Sequence, residues 1–375
     1  GTSATGNIID VSEYTTNATT LTGSATGVTT ITGGAGADTI TGGSAADTLD
    51  GGAGDDAFVY LLTADLFSGG LIVDTSVAGN TGTADKLQVG TSGTAFAIAN
   101  TDVWTGITGV EQIVAAANTA AVTIALDITA QTALVNTVNI SAGTSATGNI
   151  IDVSEYTTNA TTLTGSATGV TTITGGGGAD TITGGSLADI ITGGAGADII
   201  TGGGGADTIN GGAGADTFHY TGGASVAAAT TEGGDLITGF ASASDELNLT
   251  AFGQGYVTGD VVDGAGATAG IISGAVLMFT GGALGTADQG FANSATDVVA
   301  LLADATSGNG NTGMTNFEFI VVTAAQTGAA AGGTNVWFVK DENSDGVIAN
   351  TEVSLVTNLT DIHDGATTLV ATDIV

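Results

Sequence analysis

The chain has no cysteine, no proline and no arginine, and its two lysines stand against 37 acidic residues. Without cysteine, disulfide staples are excluded. The absence of proline leaves every strand able to donate its backbone N–H to a neighbour, which suits an uninterrupted β-ladder. The formal charge of −35 excludes nucleic acid as a partner and disfavours anionic membranes. No apolar run approaches the roughly 20 residues of a transmembrane helix. The stretch IISGAVLMF from Ile271 is short and lies between glycines, so membrane insertion is not expected. Catalytic groupings are missing too. His219 and His363 stand apart with no H-E-x-x-H, and there is no G-x-S-x-G elbow. His219 reads as a surface or cap residue, and the chain reads as a non-enzyme. A composition that is 42% hydrophobic argues against disorder. An acidic chain that folds needs its charge neutralised, and divalent cations do that.

What is present is a glycine-aspartate nonapeptide, G-G-x-G-x-D-x-U-x, in which U is a large apolar residue. One run reads GGAGADTIT, GGSAADTLD, GGAGDDAFV from Gly33 to Val59. The other reads GGGGADTIT, GGSLADIIT, GGAGADIIT, GGGGADTIN, GGAGADTFH from Gly175 to His219. The glycines permit a tight turn with positive φ, the aspartate supplies a hard oxygen ligand, and x-U-x makes a short strand with U inward. A flexible linker has no reason to place Ile40, Leu49, Phe58 and Ile182, Ile191, Ile200, Ile209, Phe218 at a strict nine-residue interval. Ala45 and Leu187 replace the fourth-position glycine, so the loops of Asp47 and Asp189 depart from the pattern.

These repeats resemble the RTX (repeats-in-toxin) family, which implies an all-β fold of parallel β-roll or β-solenoid modules with several calcium ions. In that family two nonapeptides make one turn, so calcium sits between the loops of repeat i and repeat i+2. The resemblance implies the pair Asp38 with Asp56 in the first run, standing nearly alone. In the second it implies Asp180 with Asp198, Asp189 with Asp207, and Asp198 with Asp216. Asp47 belongs to the same ligand set. Loop carbonyls complete it: Gly33, Ala35, Gly51 and Ala53, then Gly175, Gly177, Gly193, Ala195, Gly202, Gly204, Gly211 and Ala213.

Residues 1–34 recur unchanged at 143–176, so the chain is an internal duplication. Module 1 (1–142) comprises a threonine-rich solenoid lead-in (1–32), a roll (33–60), and a cap with strands (61–142). Module 2 (143–375) comprises a lead-in (143–174), a roll (175–220), a cap (221–250) and a C-terminal β region (251–375). Leu21 and Ile31, then Leu163 and Ile173, continue the inward ladder ahead of each roll. The segments 69–89 and 233–249 resemble the cap that follows RTX repeats, with Asp235 and Asp245 as further ligands. GVEQIV from Gly109 and MTNFEFIV from Met314 alternate like strands. One short helix is predicted in the second module, from Ser294 as N-cap to Ala303.

Asp341 to Glu352 matches a twelve-residue EF-hand loop, with Asp341, Asn343, Asp345, the Val347 carbonyl and Glu352 as ligands and Gly346 at the turn. Its flanks, NVWFV and VSLV, alternate like strands, so a static calcium loop joining two strands is expected. The last residues, Asp373, Ile374 and Val375, are similar to the C-terminal export signal of type I secretion substrates. The chain begins with Gly1 inside the duplicated unit, so residues are expected upstream in the gene product.

Three functions fit: a structural subunit of an extracellular layer or filament, a calcium-stiffened adhesin, or the export-and-folding region of a larger secreted enzyme or toxin. The duplication favours the first, because a tail needs no repeated lead-in and cap. Threonine, glycine and alanine richness with few basic residues is most like RTX-type bacterial surface-layer proteins. That likeness implies an extracellular, cell-surface location, self-association into a lattice or filament, cell-surface polysaccharide as a further partner, and export by type I machinery.

Overall fold

The computed structural model describes residues 6–116, 120–134, 138–142, 144, 148–221, 234–241 and 244–249, and the strands 261–263, 276–279, 318–324, 334–340 and 353–360. The chain forms two compact units, one of Gly1–Ser186 with Gly193–Gly196, the other of Leu187–Thr192 with Ala197–Val375. Both are built mainly from short parallel strands, as an all-β roll requires. No helix among the described residues is long and apolar enough to cross a membrane.

In the first unit successive strands alternate between facing ladders. Asn7–Asp10, Thr29–Thr32, Thr48–Asp50, Ser76–Ala78 and Ile107–Thr108 pair in parallel, placing Ile9, Ile31, Leu49, Val77 and Ile107 in one column. The intervening strands, Thr20–Thr22, Thr39–Thr41, Ala57–Tyr60, Lys86–Val89, Gln112–Ala115, Val138–Ser141, Thr161–Thr164 and Thr181–Gly185, form the other ladder. They stack Leu21, Ile40, Phe58, Leu87, Ile113, Ile140, Leu163 and Ile182. Apart from Leu21, each of these eight is at most 1% exposed. Full burial of such a side chain contributes roughly 1.5–3 kcal/mol, so the column is the core of the unit. A third ladder joins Phe96–Ile98, Val122–Ala125, Asn149–Asp152 and Thr171–Thr174. The lead-in residues Leu163 and Ile173 therefore take the inward places that the sequence assigns them.

The second unit continues the same geometry. Ile200, Phe218 and Leu247 form one column and Ile209, Ile237 and Leu359 another. From Val353–Thr360 onward the sheet becomes mixed: Thr334–Lys340 and Glu318–Ala324 add antiparallel, then Val276–Phe279 and Val261–Asp263 add parallel. Both expected strands, Gln112–Ala115 and Glu318–Ala324, are present.

Two features differ from expectation. The segments read as caps do not end their ladders. Lys86–Val89 pairs with Ala57–Tyr60 on one side and Gln112–Ala115 on the other, and Asp235–Thr238 lies between Thr208–Ala213 and Val353–Thr360. The reason is that each retains an inward apolar residue at the register position, Leu87 or Ile237, both fully buried, and so stacks as a further rung. The helix expected over 294–303 lies outside the described residues. Two short helices not foreseen from the sequence, Thr63–Leu66 and Ile128–Ala133, occur in the first module. The second is started by Asp127, whose Oδ1 accepts from the Thr129 and Ala130 N–H groups at 2.9 and 3.0 Å.

Candidate calcium sites in the aspartate ladder

The turns between strands stack backbone on backbone. The Ala53 N–H donates to the Gly34 carbonyl at 2.8 Å, and the Ala195 N–H to the Gly176 carbonyl at 2.7 Å. At the start of each run the Ala35 and Gly177 N–H groups donate to Tyr14 and Tyr156 carbonyls in the lead-ins, at 2.8 and 2.7 Å. The carbonyls of Gly51 and Gly193 lie against the α-carbons of Gly33 and Gly175, so closely that a Cβ at either glycine would overlap them. A Cβ at Gly202 or Gly211 would overlap the carboxylate of its own repeat, Asp207 or Asp216. Gly204 and Ala213 lie in these same turns, half-buried and exposed respectively.

Every repeat aspartate turns inward. Asp38, Asp47, Asp56, Asp180, Asp189, Asp198, Asp207 and Asp216 are each at most 1% exposed. One carboxylate oxygen has a fixed job, accepting the backbone N–H of the residue one full turn earlier. The Asp38 N–H donates to Asp56 Oδ1 at 2.7 Å, the Asp189 N–H to Asp207 Oδ1 at 2.7 Å, and the Asp198 N–H to Asp216 Oδ1 at 3.0 Å. Repeat i thus meets repeat i+2. At the foot of each run a lead-in threonine takes this role, Thr19 for Asp38 and Thr161 for Asp180, both through N–H at 2.7 Å. Asp180 belongs to the first unit and Asp198 to the second.

The second oxygen is the informative one. In Asp38 and Asp180 it accepts the N–H of Gly34 or Gly176, at 2.8 and 2.9 Å. In Asp47, Asp56, Asp207 and Asp216 it is buried and takes no hydrogen bond. Lys86 and Lys340 are the only lysines of the chain, which has no arginine. A buried carboxylate without donor or cation is costly in its charged form, and the acidities show it. Burial pushes Asp56 and Asp207 up to about 6, and raises Asp47, Asp180 and Asp216 as well. Acceptor-only oxygens held in a glycine turn are what a hard cation such as calcium requires. When bound, calcium supplies the positive charge that the ladder lacks. Among the described residues no three acidic, imidazole or thiol side chains converge on one point.

The ladder also outruns the nonapeptides. In the second unit the Asp207 N–H donates to Asp235 Oδ1 at 2.9 Å and the Asp216 N–H to Asp245 Oδ1 at 3.1 Å, which places both expected flanking aspartates. In the first, the Asp47 N–H donates to Asp74 at 2.9 Å, the Asp56 N–H to Asp85 at 2.6 Å and the Asp85 N–H to Glu111 at 2.9 Å. In the hydrogen-bonded ladder, then, Asp38 and Asp56 do not stand alone. Asp74, Asp85 and Glu111 do not follow the nine-residue period. The signal for them is the spacing: Asp85 follows Asp56 at the same 29-residue interval that separates Asp216 from Asp245. Asp341, Asn343, Asp345, Val347 and Glu352 lie outside the described residues, but the strands flanking that loop do pair antiparallel, with Val339 opposite Val353.

Parallel strands joined by stacked acidic turns define a β-roll of the calcium-binding class. A family model of the RTX calcium-binding nonapeptide repeat matches residues 25–58, 172–189 and 183–218, in four copies. No curated protein matches the chain. The two runs are RTX calcium-binding nonapeptide repeats.

Proposed function

We propose that this protein is a structural, non-catalytic subunit of an extracellular surface layer or filament at the bacterial cell surface, and that its folding and assembly depend on calcium. The observation that carries the reading is the buried carboxylate ladder, in which Asp47, Asp56, Asp207 and Asp216 each keep an oxygen without a hydrogen-bond donor. A chain so built gains its fold from the cation, which suits a protein that crosses a membrane unfolded and folds outside. The duplication supports a structural role. The second copy of the lead-in, Asn149–Asp152, adds directly to Val122–Ala125 as another parallel rung, so the repeated sequence extends a scaffold. Self-association is the main partnership of this reading, with surface polysaccharide as an anchor and type I machinery for export.

Electron microscopy of the secreted protein tests it. The expected result is an ordered sheet or fibre in millimolar calcium that disperses on chelation. Dispersed single chains in calcium would overturn the structural reading.

A further inference from the structure

The first calcium ladder does not stop where the nonapeptides stop. We infer that the turn Gly79–Asp85, outside the residues matched as RTX repeats, stacks on the turn Gly51–Asp56 to form a further calcium site, with Asp85 as its principal carboxylate. The inference rests on the calcium-binding reading of the repeats and adds a site to it.

The turn reads Gly79-Asn80-Thr81-Gly82-Thr83-Ala84-Asp85, one residue longer than G-G-x-G-x-D, and it keeps the chemistry of a repeat. Asn80 stands in place of the second glycine with φ of 69°, the one positive-φ residue other than glycine among the described residues. Asparagine is among the few side chains that tolerate this conformation. The backbone follows the repeat as well. The Gly79 N–H donates to the Thr108 carbonyl at 2.9 Å, as that of Gly51 does to Ala78 at 2.8 Å. Asp55 Oδ1 accepts from the Thr83 and Ala84 N–H groups at 2.9 and 3.1 Å, holding the longer turn against the repeat above it. Beyond Asp85 the strand places Leu87 on Phe58.

Asp85 itself is 0% exposed. Its Oδ1 accepts the Asp56 N–H, while its Oδ2 is buried with no well-formed hydrogen bond, the Gly82 N–H of the same turn giving the carboxylate only a minor stabilising contact. That oxygen is aimed into its own turn. A Cβ added at Gly79 would stand 2.6 Å from it, and one at Gly82 would run into both Asp85 oxygens and the Gly54 carbonyl oxygen. Two carboxylate oxygens and a carbonyl from the stacked turn therefore crowd one small space that only glycine leaves open. Calcium takes carboxylate and carbonyl oxygens in such irregular sets. Glu111 continues the stack, accepting the Asp85 N–H through Oε2 at 2.9 Å.

The neighbouring column supplies a built-in contrast. Asp74 accepts the Asp47 N–H through Oδ1, but its Oδ2 accepts the Tyr60 hydroxyl at 2.6 Å, so both oxygens are engaged. The extension of the calcium ladder is one-sided: Asp85 holds a cation and Asp74 does not.

Calcium titrated into the chelator-stripped full chain, with bound ions counted by equilibrium dialysis, tests this. Asp85→Asn copies the protonated acid and can still accept the Asp56 N–H, so a merely structural Asp85 tolerates it. The expected result is one fewer calcium per chain for Asp85→Asn and no change for Asp74→Asn. An unchanged count and unchanged affinities for Asp85→Asn would overturn the site, whereas no calcium uptake by the parent chain would overturn the repeat reading beneath it. Should Asp85→Asn fail to fold, Glu111→Gln reads the same site from the end of the stack. It is expected to weaken one site about tenfold, as loss of a supporting carboxylate commonly does. Affinities all equal to those of the parent would again overturn the proposal.

Discussion

Gly52, at the second position of its repeat, is required as glycine twice over, once by conformation and once by space. Its φ is +95°, and a Cβ there would overlap the Gly34 carbonyl of the turn stacked beneath it. Gly69 separates the two requirements, because its φ is +62° yet nothing lies within 4 Å of its virtual Cβ. Left-handed backbone costs an ordinary residue roughly 1–2 kcal/mol, and forcing an atom into a packed contact adds about 1–3 kcal/mol. Gly69→Ala should therefore cost about 1 kcal/mol in calcium and Gly52→Ala about 3 kcal/mol or more. Urea unfolding in saturating calcium measures both. Equal midpoints for the two variants would mean that the stacked turns separate easily, contrary to the backbone contacts described.

Along a ladder the carboxylates act together, and their acidity gives each roll a pH dependence that calcium reverses. Burial raises Asp56, Asp74 and Asp207 to about 6 from an ordinary 3.8. For a raised carboxylate the folded chain holds protons that the unfolded chain has released. Its stabilising effect is complete below 3.8 and is lost as pH rises through about 6. Surface Asp10 and Asp55 are shifted the other way by hydrogen bonds from neighbouring backbone, and oppose this only at the exposed edge. In chelator, then, where little β-structure forms at pH 7, more of it should form at pH 4.5. In calcium the order should invert, because protons compete for the ligand oxygens. Far-ultraviolet circular dichroism in the four conditions checks it, and a metal-free chain indifferent to pH would count against burial of charged carboxylates. The same ladder shows what sequence can reveal. The columns through Ile40, Leu49 and Phe58 are legible because an inward residue recurs every nine positions. Val77, Leu87 and Ile113 are not, because the turns between them lengthen; Leu87 and Ile113 keep the acid-x-apolar form, whereas Val77 stands three residues after Asp74. Asp85 and Glu111 fall outside the nine-residue period for that reason: hydrogen bonding fixes their register, and in the sequence Asp85 is marked only by the 29-residue step that also separates Asp216 from Asp245.

For the whole molecule the question is whether the charge of −35 resists folding as a diffuse field or at particular buried oxygens. The two causes respond to different solutes. Repulsion among exposed carboxylates is screened by monovalent salt, since the Debye length is about 3 Å at roughly 1 M, while buried groups are screened much less. The buried second oxygens of Asp47, Asp56, Asp207 and Asp216 need a coordinated cation, not an ion atmosphere. Each calcium site contributes about 2.7 kcal/mol when free calcium is 100 times its dissociation constant, and several such sites exceed the entire stability of many domains. Magnesium is a poorer substitute, because it demands a near-octahedral set at shorter distance and gives up its waters reluctantly. The chelated protein should therefore stay poor in β-structure in roughly 1 M sodium chloride and recover it in millimolar calcium, with magnesium far less effective at the same concentration. Far-ultraviolet circular dichroism across the three salts decides the matter. Recovery in sodium chloride as complete as in calcium would place the barrier to folding in the surface field, and would leave the buried ladder as a consequence of the fold, with no part in causing it.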